Sequence, residues 1–380
     1  MTGVATPTGL CWDDQRQAWT VGSQRLANIV FGDRHVSVVQ EPELATSWVR
    51  PADETPTVTE FFGSWFSRSP RHRQVRHELR RPYSAGLVAE LEAMFTEVAE
   101  EFAAGLTESG DLMNDYLTPY GMRTTARMMD VPDSEWANLN KVIAVITAFL
   151  KKPLQRTFSA NSAEMNAMRV CIDYLRELVE TLFAQPNPGP LVAALKQISV
   201  ADGASIWLAV TTIGQLLAAG VEPMTTGAGV ACRELYGDSE LRAAVLAGTV
   251  PIGEVAEEAL RLNPPFPFIH RWVQQPCDCL GVHIEPGTYL VIDVRAVNND
   301  PDVLEAPGEF RPHRAKHQNQ TFGRGVHHCL GMRSGRLQIA VALSTLLHRV
   351  PGLRIGLDKV DVADLGYVLA VNALPYEVSR

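Results

Sequence analysis

A mainly α chain with a minor β portion, folded as one domain over residues 1–380, is the class this sequence predicts, and three observations carry it. Helical periodicity dominates from about residue 84 to 262. Between about 270 and 320 the pattern breaks into short strand-like runs and prolines. No internal repeat, low-complexity tract or long linker divides the chain, so one body is the simplest organisation although 380 residues alone would suggest two or three.

The elements follow in order. In the first 50 residues "RLANIVF" and "VSVVQ" are short apolar runs that read as strands. From residue 86, "GLVAELEAMFTEVAEEFAAGL" places Leu87, Leu91, Met94, Val98 and Phe102 on one stripe, a helix. Further helices are expected over 112–130, 133–151, 161–184, 203–235, 239–247 and 252–262. The run "GASIWLAVTTIGQLLAAGVEPMTTGAGVACREL" is apolar almost all round, which places it through the centre of the molecule. "HRWVQQ" and "IEPGTYLVIDVR" read as strands, "LGMRSGRLQIAVALSTLLHRV" as the last helix and "LGYVLAVNALPYEV" as a strand-like tail.

Composition narrows the function. With 46% hydrophobic residues and 20% charged, the chain can bury a substantial core. A net charge of -9 argues against nucleic acid as a partner. No basic start followed by an apolar stretch marks a signal peptide, and the apolar run "VIAVITAFL" is far shorter than the ~20 residues that span a bilayer. A cytoplasmic protein without a membrane partner is expected. The cysteines at 11, 171, 232, 277, 279 and 329 are scattered rather than arranged as a disulfide framework, and the lone CxC at Cys277 and Cys279 reads as structural or incidental.

The densest chemistry lies in "TFGRGVHHCLG", Thr321 to Gly331. Cys329 stands at the start of the last helix, where unpaired N–H groups and the helix dipole favour an anion, so its thiolate is a competent metal ligand. Gly323 and Gly325 permit backbone angles that other residues resist, and Gly331 permits close approach of something flat or bulky. A buried cysteine in a glycine-rich turn is the plain alternative. Zinc on His327, His328 and Cys329 is a weaker one, because adjacent side chains seldom converge on one tetrahedral centre.

"FGRGVHHCLG", Phe322 to Gly331, resembles the FGxGxHxCxG signature of the cytochrome P-450 superfamily. That resemblance implies haem b, iron protoporphyrin IX, with Cys329 as axial ligand and metal site, Phe322, Gly323 and Gly331 around the cofactor, and His327 at a haem propionate. Three further stretches match in the family's order. "EEALRLNPP" supplies an ExxR pair, Glu258 and Arg261, that implies a structural ion pair beneath the cysteine loop. "SPRHRQVRHELRRPYS" supplies His72 and Arg76, and "FIHRWV" supplies Arg271, all implied to reach the propionates. The implied fold is the cytochrome P-450 fold, and the implied activity is a monooxygenase or oxidase drawing NAD(P)H-derived electrons through a ferredoxin reductase and a ferredoxin.

The chain also departs from the family. Its usual N-terminal helix is missing or very short, and Glu309 precedes Phe310 where an arginine is usual, which leaves Arg311 or Arg314 to complete the Glu258–Arg261 network. In the central helix the oxygen-activating segment is Ala219, Gly220, Val221, Glu222 and Pro223, with proline in place of the usual proton-delivering threonine. Proline removes one N–H and disturbs the carbonyl four residues earlier, at Ala219. Thr226, one turn beyond Glu222, is expected to lie too far away to substitute. Two outcomes stay open: a substrate hydroxyl or water replaces the threonine in ordinary hydroxylation, or the chemistry is coupling, ring closure or desaturation, toward which the proline leans.

By family position the substrate pocket draws on 50–66, on 140–170, on Trp207, Thr211, Thr212, Gln215, Leu216 and Ala219, on Phe266, Phe268, Ile269 and His270, and on Tyr367 to Leu369 including Val368. That mixture suits a small or medium natural product or a modified peptide. Arg68, Arg71, Arg73, Arg76, Arg80 and Arg81, with Lys316, Arg324, Arg333 and Arg336, form a basic face suited to an acidic ferredoxin. A haem sensor would need an output surface, and a recruitment module of this fold would be expected to lack the cysteine that the chain keeps.

Overall fold

The structure, a computed structural model, describes residues 8–33, 36–37, 51–63, 65, 70–150, 161–200, 205–278, 280–314, 319–365 and 368–379. A hairpin of β1 (Leu10–Asp13) and β2 (Ala18–Val21) leads into α1 (Gln24–Gly32) and β3 (Val36–Ser37). Then come α2 (Val58–Gly63), α3 (Pro70–Leu79), α4 (Ala85–Glu90), α5 (Glu92–Ala104) and β4 (Ser109–Asp111). The helical body continues through α6 (Thr118–Met128), α7 (Trp136–Leu150), α8 (Ser162–Ala184), α9 (Pro190–Ser199), α10 (Ile206–Gly237), α11 (Ser239–Leu246) and α12 (Ile252–Leu262). The remainder is β5 (Phe268–Val273), β6 (Tyr289–Asp293), α13 (Val294–Asn298), α14 (Met332–Arg349), β7 (Leu353–Ile355), β8 (Asp361–Asp364), β9 (Leu369–Ala373) and β10 (Pro375–Val378).

Local chemistry explains where the elements depart from the sequence pattern. "RLANIVF" is not a strand but most of α1, because Ser23 caps its N-terminus by accepting from the Leu26 N–H and Leu26, Ala27, Val30 and Phe31 fall on one buried face. The strand expected in "VSVVQ" is seen over Val36–Ser37, its remainder lying outside the described residues. The helix expected from residue 86 is two, α4 and α5, meeting at Leu91. The 112–130 helix opens with a π turn, Met113–Leu117: Pro119 has no N–H to give Asp115, and the Thr118 N–H bonds to the Met113 carbonyl five residues back. Helix α9, started by Pro190, was hidden between two stronger patterns.

The sheet runs β1-β2-β6-β5-β3, with β2 and β6 parallel and the other neighbours antiparallel. Two small sheets, β4-β10-β7 and β8-β9, carry the C-terminal segment. Helix α10 meets α6, α8, α12, α14 and β9 and is largely buried, although its length and composition would also pass for a membrane span. Its glycines let neighbours close in: a Cβ on Gly227 would stand 2.8 Å from Leu260 and 3.0 Å from Ile339. Cys11, Cys171, Cys232 and Cys329 are free thiols, whereas Cys277 is buried and disulfide-bonded, and Cys279 lies outside the described residues.

Candidate active site

The cysteine loop is built by backbone geometry. Gly323 and Gly325 take φ of +62° and +72°, and a Cβ on Gly325 would stand 2.4 Å from the Phe31 carbonyl oxygen, so α1 closes on the loop only over glycine. The Cys329 N–H bonds to the Phe322 carbonyl at 2.9 Å, turning the thiol toward α14, and the Gly331 N–H donates to its sulfur. Burial pushes the Cys329 thiol up, while that N–H, Arg76 and Arg336 pull it down. The Cys329 residue is half-buried, so part of its surface stays accessible.

Helix α3 docks on this loop. Arg76 donates to the His328 carbonyl, and the His72 ring lies 4.6 Å, centroid to centroid, from His327. Burial lowers Arg76, a negative Cys329 raises it, and Arg80 lowers it. On the neighbouring sheet Arg271 is buried, donates to the His270 carbonyl at 2.8 Å and stands over the Phe31 ring. Alternation along β5 puts Ile269 on the same side, against Gly323.

Beneath the loop Glu258 and Arg261 pair through two 2.8 Å bonds, both side chains closed to solvent. The question left by Glu309 resolves into two partners: Arg314 bonds Glu258 at 2.8 Å through Nε, and Arg311 bonds it at 2.9 Å through its backbone N–H. Burial would raise the Glu258 carboxyl, but these donors outweigh it and hold it below the usual range. Glu309 takes part through its carbonyl, accepting from Arg261 and Arg314.

Helix α10 carries the segment Ala219 to Pro223. Ala218, Val221 and Met224 are buried, whereas Ala219 is exposed and Leu216, Gly220, Glu222 and Pro223 are half-buried, an open stripe on a helix otherwise packed on its sides. Leu330 packs on the core cluster to which Leu217 and Val221 belong, and Phe322 on the one to which Met224 belongs. Thr226 is buried, and Thr225 gives its hydroxyl to the Glu222 carbonyl at 3.0 Å.

The expected pocket residues divide. Leu216, Ala219 and Phe266 present surface, and Gln215 reaches the Trp65 carbonyl. Trp207 and Thr211 are closed inside the core, Trp207 donating to the Pro51 carbonyl, and Thr212 bonds back to Leu208, so these three do not face open space. Phe268 turns to the opposite face of the sheet between Arg16 and Arg295, because neighbours on a strand alternate sides. His270 turns the same way and is paired with the Tyr289 hydroxyl. Val368 is buried, with Leu369 tied to the Pro265 carbonyl. Tyr367, Arg68 and Lys316 lie outside the described residues, as does the Arg71 side chain.

One contributor, Tyr83, escapes sequence reasoning, and one already read on the basic face, Arg336, gains further contacts. Tyr83 has its hydroxyl pushed up by burial and by a negative Cys329, and it stands where a Cβ on Gly331 would meet it at 3.8 Å. Arg336 lies over Phe322 and binds Glu257 with both nitrogens. The sequence placed Arg336 on the basic face beside the cysteine loop, whereas nothing local marked Tyr83. On the outer side Arg76, Arg336, Arg324 and Arg333 all push His328 down after its burial, so these four arginines share one face.

The donor set fits an anionic tetrapyrrole with a thiolate-bound metal. A half-buried thiol tempered by one N–H and two guanidiniums, with cations and imidazoles grouped beside it, is what such a group requires. The family model described as Cytochrome P-450 matches residues 253–351. Cytochrome P-450 109 of Bacillus spizizenii is 25% identical over 82% of this chain and 78% of its own length. Mycinamicin IV hydroxylase/epoxidase of Micromonospora griseorubida is 26% identical over 91% and 85%. Among solved structures, the cytochrome P-450 enzyme CxnD for C–S bond formation in chuangxinmycin biosynthesis superposes with a TM-score of 0.81 at 20% identity, covering 96% and 89%.

Proposed function

We propose, from the premise that this chain belongs to the cytochrome P-450 superfamily, that it oxidises a small or medium natural product or modified peptide without inserting oxygen. The monooxygenase class, haem with a cysteine thiolate, and a redox partner come with that membership. When bound, haem supplies reductive activation of dioxygen. Cys329 would hold its iron, and His72, Arg76, Arg271 and His327 would pair with its propionates. The Glu258–Arg261–Arg314 network keeps the loop in register beneath it.

Pro223 carries the choice of reaction. At the position of the family's alcohol it offers no proton, and Thr225 directs its hydroxyl to the Glu222 carbonyl. Glu222 is the acid left in the segment. A site poor in proton donors favours coupling, cyclisation or desaturation over insertion, a proton-delivery deficit of ~10²–10⁴-fold by analogy with general acid catalysis. CxnD, named for C–S bond formation, is a relative of that kind, whereas the mycinamicin relative is named a hydroxylase/epoxidase and supports the second reading, hydroxylation with substrate- or water-assisted protonation. An acidic ferredoxin on the arginine face and a cytoplasmic location complete the proposal.

The test is turnover under labelled dioxygen. Loss of two hydrogens, or a new bond without label, supports the proposal; label in the main product establishes the hydroxylase instead.

A further inference from the structure

We propose that the Ala219 carbonyl oxygen is a binding subsite for an O–H or N–H donor carried by the substrate, so that this site selects substrates with a hydroxyl, phenol, amide or indole N–H beside the reacting position. The inference rests on the haem-thiolate reading of the site and names a feature of the molecule it accepts.

In an α-helix each N–H donates to the carbonyl four residues earlier. Pro223 has no N–H, so α10 offers the Ala219 carbonyl no i+4 donor. Leaving such an acceptor closed in a core costs roughly 1–3 kcal/mol, and here it is not closed in. Ala219 is exposed and Pro223, one turn on, is half-buried, while Ala218, Val221 and Met224 beside them are each 4% exposed. Residues four apart on a helix stack on one face, so the carbonyl between these two opens along the accessible stripe.

Three hydroxyls along the helix are engaged elsewhere: Thr225 bonds the Glu222 carbonyl at 3.0 Å, Thr212 the Leu208 carbonyl at 2.6 Å and Thr211 the Trp207 carbonyl at 2.8 Å. The stripe thus presents this neutral acceptor among Leu216, Ala219 and Gly220, with the Glu222 carboxylate as a second acceptor that the Pro223 variants leave in place. Such a group recognises a donor and is indifferent to the ether or N-methyl analogue of the same shape.

The experiment compares matched probes on the haem-loaded protein by calorimetry: 4-phenylphenol against 4-methoxybiphenyl, and indole against 1-methylindole. The wild type is expected to bind the donor member about fivefold to tenfold more tightly, the usual worth of one neutral hydrogen bond. Pro223→Ala restores the helical N–H and should bring each pair within about twofold. Pro223→Leu supplies the same N–H with more bulk and should behave alike, which separates the hydrogen bond from lost volume. Equal affinities in the wild type, as when a water keeps the carbonyl, overturn the proposal, and so do an unchanged preference in both variants or binding of neither probe. Failure of the underlying reading shows separately, as a reduced carbon monoxide complex lacking the thiolate-type absorption band.

Discussion

His270 shows how a single residue's surroundings translate into a pH response. Burial first, then Arg271 and Arg16, push it down to about 4, so it folds as a neutral ring paired with the Tyr289 hydroxyl. Its folded value lies below its ordinary one, so the unfolded chain binds the extra proton first. The stabilisation is therefore complete above about pH 6.5 and is lost as pH falls toward 4, worth on the order of 2–3 kcal/mol by linkage. Urea titrations from pH 7 to 4.5 should show that slope, and His270→Gln should flatten it. At the cysteine, Cys329→Ala should leave the helical circular dichroism nearly intact while the thiolate-type band of the reduced carbon monoxide complex disappears; persistence of that band would assign the ligand elsewhere. Arg271→Leu should shed haem on desalting, whereas the exposed Arg80→Leu should not, since a lost charged hydrogen bond costs roughly 1.5–3 kcal/mol.

At the scale of elements, α12 and α10 carry the arrangement. The carboxylate on α12 takes bonds from Arg261, Arg311 and Arg314, tying the helix to the segment before the cysteine loop. Glu258→Gln leaves two buried guanidiniums short of a charge and should cost about 3–5 kcal/mol, read as a lower urea midpoint together with lost haem occupancy. A midpoint within about 0.5 kcal/mol of wild type would show the network to be dispensable. Helix α10 meets α12 and α14 through Gly227, so Gly227→Val, pressed against Leu260 and Ile339, should cost about 1–3 kcal/mol by overpacking.

Across the whole molecule the net charge of -9 conceals a local basic face. Arg76, Arg336, Arg324 and Arg333 converge on His328 beside the site, although Arg336 is largely neutralised by Glu257. If an acidic ferredoxin docks there, its rate of reducing the protein should fall as salt rises, because exposed charges are screened over ~10 Å at 0.1 M. Arg333→Glu should reproduce much of that loss at low salt without changing haem content. A rate indifferent to both salt and substitution would place electron entry on another face.

The sequence by itself determined the fold class, the cysteine loop, the ExxR pair and the proline at 223, because each depends on local chemistry: helical period, glycine angles, a one-turn ion pair and a missing N–H. It also misread α1, where apolar Ile29 and Val30 look strand-like but a Ser23 cap fixes a helix. Only the tertiary structure decided which of the expected site side chains are closed into the core and which turn toward the cysteine loop. Strand alternation turned Phe268 away while keeping Ile269 and Arg271 near the loop, and core packing closed Trp207 and Thr211 inside. The third partner of Glu258 was likewise chosen by packing, since Arg311 and Arg314 are equally basic and only the path of the chain gives one its side chain and the other its N–H. Contacts between residues far apart in the chain leave no local pattern, because burial and direction are properties of the assembled core.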